Sequence, residues 1–311
     1  MRILLLGANG QIGFELMRAM SVLGEVVPVT RDGLLQGGAP CREVDLASGT
    51  ALGMLLDGTQ PSLIVNAAAY TAVDRAEDEP EIARRVNGDA VGTLGVWAAT
   101  RGVPVVHFST DYVFDGSNRR PWREDDATAP LGAYGSSKWL GEQALLASGA
   151  QHLILRTAWI YAARGRNFLL SILRAARGEA SIRVVDDQYG SPTPARVVAD
   201  ATTAIVARIA SRGHFCEGVP WGTYHLTTAG QTTWHGFASA LLREALRARL
   251  IARMPDVQAI SSAGWQARAR RPTYSVLDCS RIQDAFELRL PSWQEGLTAV
   301  ISELAGGRPS E

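Results

Sequence analysis

The sequence predicts an α/β protein with a doubly wound parallel sheet and a smaller C-terminal lobe. Three observations lead there. Short apolar runs alternate with longer amphipathic ones through the first half. A glycine-rich turn follows the first apolar run. After about Ile160 the alternation loosens, and Gly190-Ser191-Pro192, Glu217-Gly218-Val219-Pro220 and Arg271-Pro272 interrupt it.

The elements follow in order. Ile3 to Leu6 reads as a buried strand and Gln11 to Leu23 as a helix. Val26 to Val29 and Ser62 to Asn66 read as strands two and three. Glu81 to Thr100 is a helix, Val103 to Ser109 a strand, Tyr134 to Ala147 a helix and Leu153 to Arg156 a strand. Continuously apolar strands fit a sheet covered on both faces. Helices are expected again at Arg196 to Ser211, Trp234 to Arg249 and Ser292 to Leu304, and the last six residues as a frayed tail. The domains are therefore expected as 1–160, with about 196–226 returning to it, and 161–311 as the smaller lobe.

Composition narrows the function. The chain has 311 residues, of which 46% are apolar, so a packed core is expected rather than disorder. Basic and acidic side chains balance at 31 each, which gives no broad field for nucleic acid or an anionic membrane. Cys41, Cys216 and Cys279 are far apart and form no CxxC pair, so neither a zinc ribbon nor a disulfide framework is suggested. The opening Met-Arg-Ile-Leu-Leu-Leu runs into glycines too soon for a signal-peptide core, and no apolar run is long enough to span a membrane. The expected setting is the cytoplasm.

Gly7-Ala-Asn-Gly10-Gln11-Ile12-Gly13 lies where strand one becomes helix one. The first glycine permits a tight turn, the second a close approach to a diphosphate, the third close helix–strand packing. The helix N-terminus then offers free N–H groups and the positive end of its dipole. The spacing is G-x-x-G-x-x-G, and its position makes a Rossmann-like dinucleotide site the expectation. At the end of strand two stand Thr30, Arg31 and Asp32. Arg31 suits a 2′-phosphate and favours NADPH, while Asp32 keeps NADH open.

Tyr134-Gly-Ser-Ser-Lys138 carries the chemistry. Residues at i and i+4 share a helix face. A phenol of pKa about 10 is a poor acid–base group at neutral pH, and a nearby ammonium is expected to lower it. Proton transfer to a developing alkoxide then becomes feasible. Ser109-Thr110-Asp111-Tyr112 closes a strand, where ligands gather in a parallel sheet, so Thr110 is expected to bond a substrate oxygen opposite Tyr134.

Together Gly7 to Gly13, Asn66-Ala-Ala-Ala69, Ser109-Thr-Asp-Tyr-Val-Phe114 and the Tyr134/Lys138 pair resemble the extended short-chain dehydrogenase/reductases. Within them the chain resembles the dTDP-4-dehydrorhamnose reductases. Thr71-Ala-Val-Asp74 with Glu77, Arg156-Thr-Ala-Trp-Ile-Tyr161, Asn167-Phe168 and Arg270-Arg271-Pro272 extend the likeness over nearly the whole length. The resemblance implies reduction of a keto-sugar nucleotide by NADPH. Tyr134 would be the proton donor, with Lys138 tuning it and gripping the cofactor ribose, and Thr110 would orient the ketone. It further implies that Gln11 and Ile12 contact the phosphates, Asp45 and Leu46 lie near the adenine, and Ala69, Tyr70 and Thr71 line the cofactor cleft. Asp111 and Trp159 would face the sugar. A dTDP-sugar is the implied partner, acting on a monomer or homodimer.

Other groups are set aside. None of His107, His152, His214, His225 and His235 has metal spacing, and His107 and His225 read as hydrogen-bonded core residues. A magnesium at a dimer contact, with Glu15 taking part, is possible by the resemblance but unsupported by spacing; Glu15 reads as a solvated helix residue. Trp221, Trp234, Trp265 and Trp293 read as core. Arg268, Arg270 and Arg271 read either as a diphosphate contact or as a solvated basic turn. Among rival functions, a dehydratase is disfavoured because Tyr112, not a second carboxylate, follows Asp111. An epimerase of the same fold stays open. A non-catalytic NADP-binding subunit is disfavoured because Thr110, Tyr134 and Lys138 are all present.

Overall fold

The computed structural model describes residues 1–211, 214–265 and 267–306. Its main sheet has seven strands, all parallel: β1 (Arg2–Leu6), β2 (Glu25–Thr30), β3 (Arg42–Glu43), β4 (Leu63–Asn66), β5 (Val105–Thr110), β6 (His152–Thr157) and, far along the chain, β8 (Gly222–His225). The spatial order is β8-β6-β5-β4-β1-β2-β3. Strand order therefore reverses between β1 and β4, which creates a crevice beyond their carboxyl ends.

Both faces of the sheet are covered, which is why its central strands are apolar throughout. Ile3, Leu5, Val106 and Leu153 pack with α1 (Gln11–Ala19) and α8 (Ala195–Ile209) through Leu16, Val198 and Ile205. Leu4, Leu6, Ile64 and Val105 face α2 (Gly49–Thr59) and α5 (Ala90–Arg101) through Leu52, Leu56, Val91 and Leu94, with Leu145 of α6 (Ala133–Ala147) closing the layer. A separate core joins α7 (Phe168–Gly178), α9 (Trp234–Arg247) and α11 (Trp293–Gly306) through Leu169, Leu173, Phe237, Leu241, Leu297 and Ile301. On it lies a parallel pair, β7 (Ser181–Val185) with β9 (Asp256–Ile260), whose Ile182 and Val184 turn inward as a period-two pattern requires.

Several element boundaries differ from expectation. The helix expected to reach Leu23 ends at Ala19 and tightens into a 3₁₀ turn, Met20–Val22. The helix expected over Glu81 to Thr100 is broken: α4 (Pro80–Arg84) passes through a π-helical turn, Arg85–Asp89, before α5 begins. Helices α2, α7 and α10 (Ser280–Phe286) and the short β3 were not anticipated. The predicted frayed tail lies, from residue 307 on, outside the described residues. Among the described residues no helix is long and apolar enough to cross a membrane.

Candidate active site

The crevice at the strand ends gathers most of the residues singled out above. On one side is the glycine loop. Gly7 follows β1 at φ +79°, a left-handed conformation that suits glycine. A Cβ on Gly13 would sit 2.1 Å from the Gly7 carbonyl, so helix and loop meet only because none is there. Gly10 is the N-cap of α1 and has no side chain to cap it. The first-turn N–H groups of Gln11, Ile12 and Gly13 thus lack intrahelical partners and open onto the crevice end of β1. This cradle fits a dinucleotide diphosphate.

Around it, Arg31 and Asp32 are exposed just beyond β2. The Thr30 hydroxyl donates to Asp32 (2.9 Å), and that bond helps hold the Asp32 carboxyl below its usual range. Asp45 is exposed and accepts from the Ala47 N–H, whereas the Leu46 side chain is packed into the core and leaves only backbone for any ligand. Ala69, Tyr70 and Thr71 follow β4. Tyr70 is clamped at both backbone groups by Asn87, whose side chain accepts from Tyr70 N (2.8 Å) and donates to Tyr70 O (3.0 Å). Asn87 lies in the π turn and also donates to Ser137 of α6, so the irregular turn ties the loop after β4 to the helix of Tyr134.

On the other side, Thr110 ends β5 and Tyr134 stands in the first turn of α6. Thr110 donates to Asp111 Oδ1 (3.0 Å) and accepts from Tyr112 N, fixing its hydroxyl at the strand end. The Tyr112 ring meets Tyr134 edge-on at 5.9 Å. Helix α6 has a side-chain-free N-cap, Gly132. Its Ala133 N–H is taken instead by Glu77, which follows the short helix α3 (Val73–Ala76), at 2.8 Å. Asp74 of α3 holds Ala269 N and Arg271, and Asp78 pairs with Arg268, so one acidic segment secures both α6 and the loop over it. Arg271 is largely covered in its ion pair, while Arg268, although paired, and Arg270 stay exposed.

The electrostatics correct one expectation. Burial pushes the Tyr134 phenol up to about 12, and the adjacent Thr110 hydroxyl only partly opposes this. Lys138 does not pull it down. Its Nζ is turned into the protein, donating to Phe108 O at 2.6 Å and lying 3.3 Å from His107 Nε2. Lys138 itself is 2% exposed, and burial brings its ammonium down to about 8 against the raising effect of Glu142. Tyr134 is thus a protonated phenol at neutral pH, the form a proton donor needs. Burial also lifts Asp111 to about 7, although bonds from Ser275 and Thr110 oppose it; its Oδ2 has no partner among the described residues.

Trp159 sits beyond β6 with φ +49°, an uncommon conformation for a bulky residue. Its indole stacks on Trp234 with ring centroids 3.5 Å apart, and a Cβ on Gly190 would collide with it. Trp293 belongs to the second core as expected, but Trp265 is exposed. Glu15 is likewise not solvated: it is 5% exposed and paired with Arg18 and Arg164. No cluster of His, Cys, Asp or Glu that could hold a metal occurs among the described residues.

Sequence reasoning missed Asn87, Glu77's capping role and a buried network behind α6, where Glu142 pairs with Arg156 (2.7 Å) and accepts from Ser109. A signal for Asn87 was present: Asn-Gly inside an otherwise helical pattern marks a break.

Residues 1–305 match the family described as RmlD substrate binding domain. The chain belongs to that family. It is 42% identical over 309 residues to the dTDP-4-dehydrorhamnose reductase of Burkholderia thailandensis, covering 98% of this chain and 99% of the relative. It is 39% identical over 304 residues to the enzyme of the same name from Escherichia coli K12, covering 98% of each. The crystal structure of dTDP-4-dehydrorhamnose reductase from Bacillus anthracis in complex with NADP superposes with a TM-score of 0.85 at 29% identity, covering 97% of this chain and 99% of that one.

Proposed function

We propose that this chain reduces the C4 ketone of dTDP-4-dehydro-L-rhamnose to dTDP-L-rhamnose with NADPH. The observation that carries the reading is Thr110 at the end of β5 with Tyr134 and Lys138 on the adjacent α6, in the same sheet as the glycine turn. The family's named activity supports the sugar. NADPH, held by the glycine cradle, would supply the hydride that reduces C4. Tyr134 gives its phenolic proton to the ketone oxygen as negative charge develops there. Thr110 orients that oxygen, and Lys138 holds the ribose and restores the proton to Tyr134. Gly7, Gly10, Gln11, Ile12 and Gly13 take the diphosphate, Arg31 the 2′-phosphate, and the backbone of Asp45 and Leu46 the adenine. Ala69, Tyr70 and Thr71 line the cleft. Asp111 and Trp159 meet the sugar, so the lobe formed by residues 161–311, apart from about 196–226, is the substrate lobe. The same reading has the enzyme in the cytoplasm as a monomer or homodimer.

The test follows NADPH oxidation by the purified protein given dTDP-4-dehydro-L-rhamnose, with Tyr134→Phe alongside. The parent turns over to dTDP-rhamnose and the variant loses about 10²–10⁴-fold in kcat. Cofactor binding without oxidation by the parent overturns the reading.

A further inference from the structure

His107 is fully buried on β5, and the mechanism above does not use it. Its Nδ1 lies 3.1 Å from Asn66 Nδ2, and its Nε2 lies 3.3 Å from Lys138 Nζ. The donors and acceptors of this trio can be assigned from one fixed point. The Ala68 N–H can only donate, and it reaches Asn66 Oδ1 at 3.2 Å. That fixes the amide, so its NH₂ faces His107. Nδ1 must then carry the lone pair, and Nε2 carries the hydrogen and presents it to Lys138. An ammonium has three donors and no acceptor. As an ammonium, Lys138 would set N–H against N–H at Nε2. As a neutral amine, its lone pair receives Nε2–H, one hydrogen serves Phe108 O (2.6 Å) and the other is left for the crevice.

We propose that His107 is a positioning residue for Lys138: locked by Asn66 as the Nε2–H tautomer, it favours the neutral amine and sets the pH at which the lysine releases its proton. This rests on the reductase reading only for its kinetic consequence. In the release, one Nζ–H bond breaks and its electron pair stays on nitrogen to accept Nε2–H. The proton passes to the phenolate that Tyr134 becomes after each turnover. His107 stays neutral throughout, and its burial and the charge of Lys138 both hold its own pKa well below the usual histidine range. The other groups facing the pair are accounted for. Glu142, one turn along α6, favours the ammonium but is held by Arg156 and Ser109. His152 of β6 acts on His107 in the same direction as burial and Lys138, last among the three. Tyr134 is a neutral phenol and Asn87 and Ser137 are uncharged.

Two measurements decide it. Nitrogen-15 spectra of histidine-labelled protein read the His107 tautomer directly and, followed with pH, report the titration of its neighbour without any turnover. The parent is expected to show protonated Nε2 and a titration near pH 8, not in the ordinary lysine range. Asn66→Asp replaces the amide donor by an acceptor, so the tautomer inverts to Nδ1–H. The basic limb of kcat for the keto-sugar then moves up by about one pH unit or more, a tenfold gain on that limb. A parent Nδ1–H tautomer overturns the proposal. So does a parent titration near about 10, or an inverted tautomer that leaves the titration in place. A parent with protonated Nε2 whose titration moves up in Asn66→Asp, yet which never oxidises NADPH, upholds it and sinks the reductase reading alone.

Discussion

Asp111 shows how far one residue's surroundings depart from its chemistry in water. Its carboxyl is 2% exposed and burial lifts it to about 7, with one oxygen unpartnered. A folded-state value above the unfolded one, about 3.9, means that the folded chain binds a proton the unfolded chain has already released. Its contribution to stability is therefore full below about pH 4 and is lost as pH rises to about 7. Denaturant titrations across that window should show stability falling in the parent, and Asp111→Asn should remove that component and gain on the parent as pH rises. An identical pH slope in both chains would contradict the assignment. Thr110, Tyr134 and Lys138 were legible as residue types at a spacing, but their states were not. The sequence puts an ammonium one turn from a phenol; the structure turns Nζ inward to Phe108 O and leaves the phenol to burial.

At the scale of elements, α6 matters most because it carries both Tyr134 and Lys138. Its apolar pattern made it predictable, but its N-terminus did not, since Gly132 offers no capping side chain. Glu77 supplies the cap from a segment distant in sequence. Carboxylates stabilise helix N-termini through the free N–H groups and the dipole. Glu77→Ala should cost about 1 kcal/mol in chemical denaturation, with Glu77→Gln recovering most of it; equal losses in both would argue against a hydrogen-bonded cap. The π turn at Arg85–Asp89 is the second device. It widens one turn of an expected continuous helix and aims Asn87 at Tyr70 and Ser137, which a regular 3.6-residue period does not describe.

At the scale of the molecule, one core covers each face of the sheet and a further one joins α7, α9 and α11. Asn167, the N-cap of α7, also donates to Gln11 Oε1 at 2.9 Å, so α7 is tied directly to the start of α1 after the glycine loop. A dinucleotide in the crevice binds only the folded chain. NADPH at about a hundredfold its Kd should therefore raise stability by about 2.7 kcal/mol, read as a shift in thermal or denaturant midpoint. Adenosine alone, which lacks the diphosphate, should give far less. Equal shifts from the two would remove the glycine cradle from the cofactor site.

The sequence by itself determined the layered α/β architecture, the glycine turn before α1 and the Tyr–Lys pair, because each is a local pattern. Apolar period, glycine spacing and an i, i+4 repeat are set by backbone geometry within one element. The return of about 196–226 to the first domain was expected; tertiary structure alone decided that β8 pairs there with β6 and that Glu77 caps a distant helix. It also decided that Trp159 is held in a left-handed conformation against Trp234, and that His107 stands between Asn66 and Lys138. These are contacts between segments far apart in the chain. Burial and hydrogen-bond partners arise only when such segments meet, and they govern which atoms hold protons.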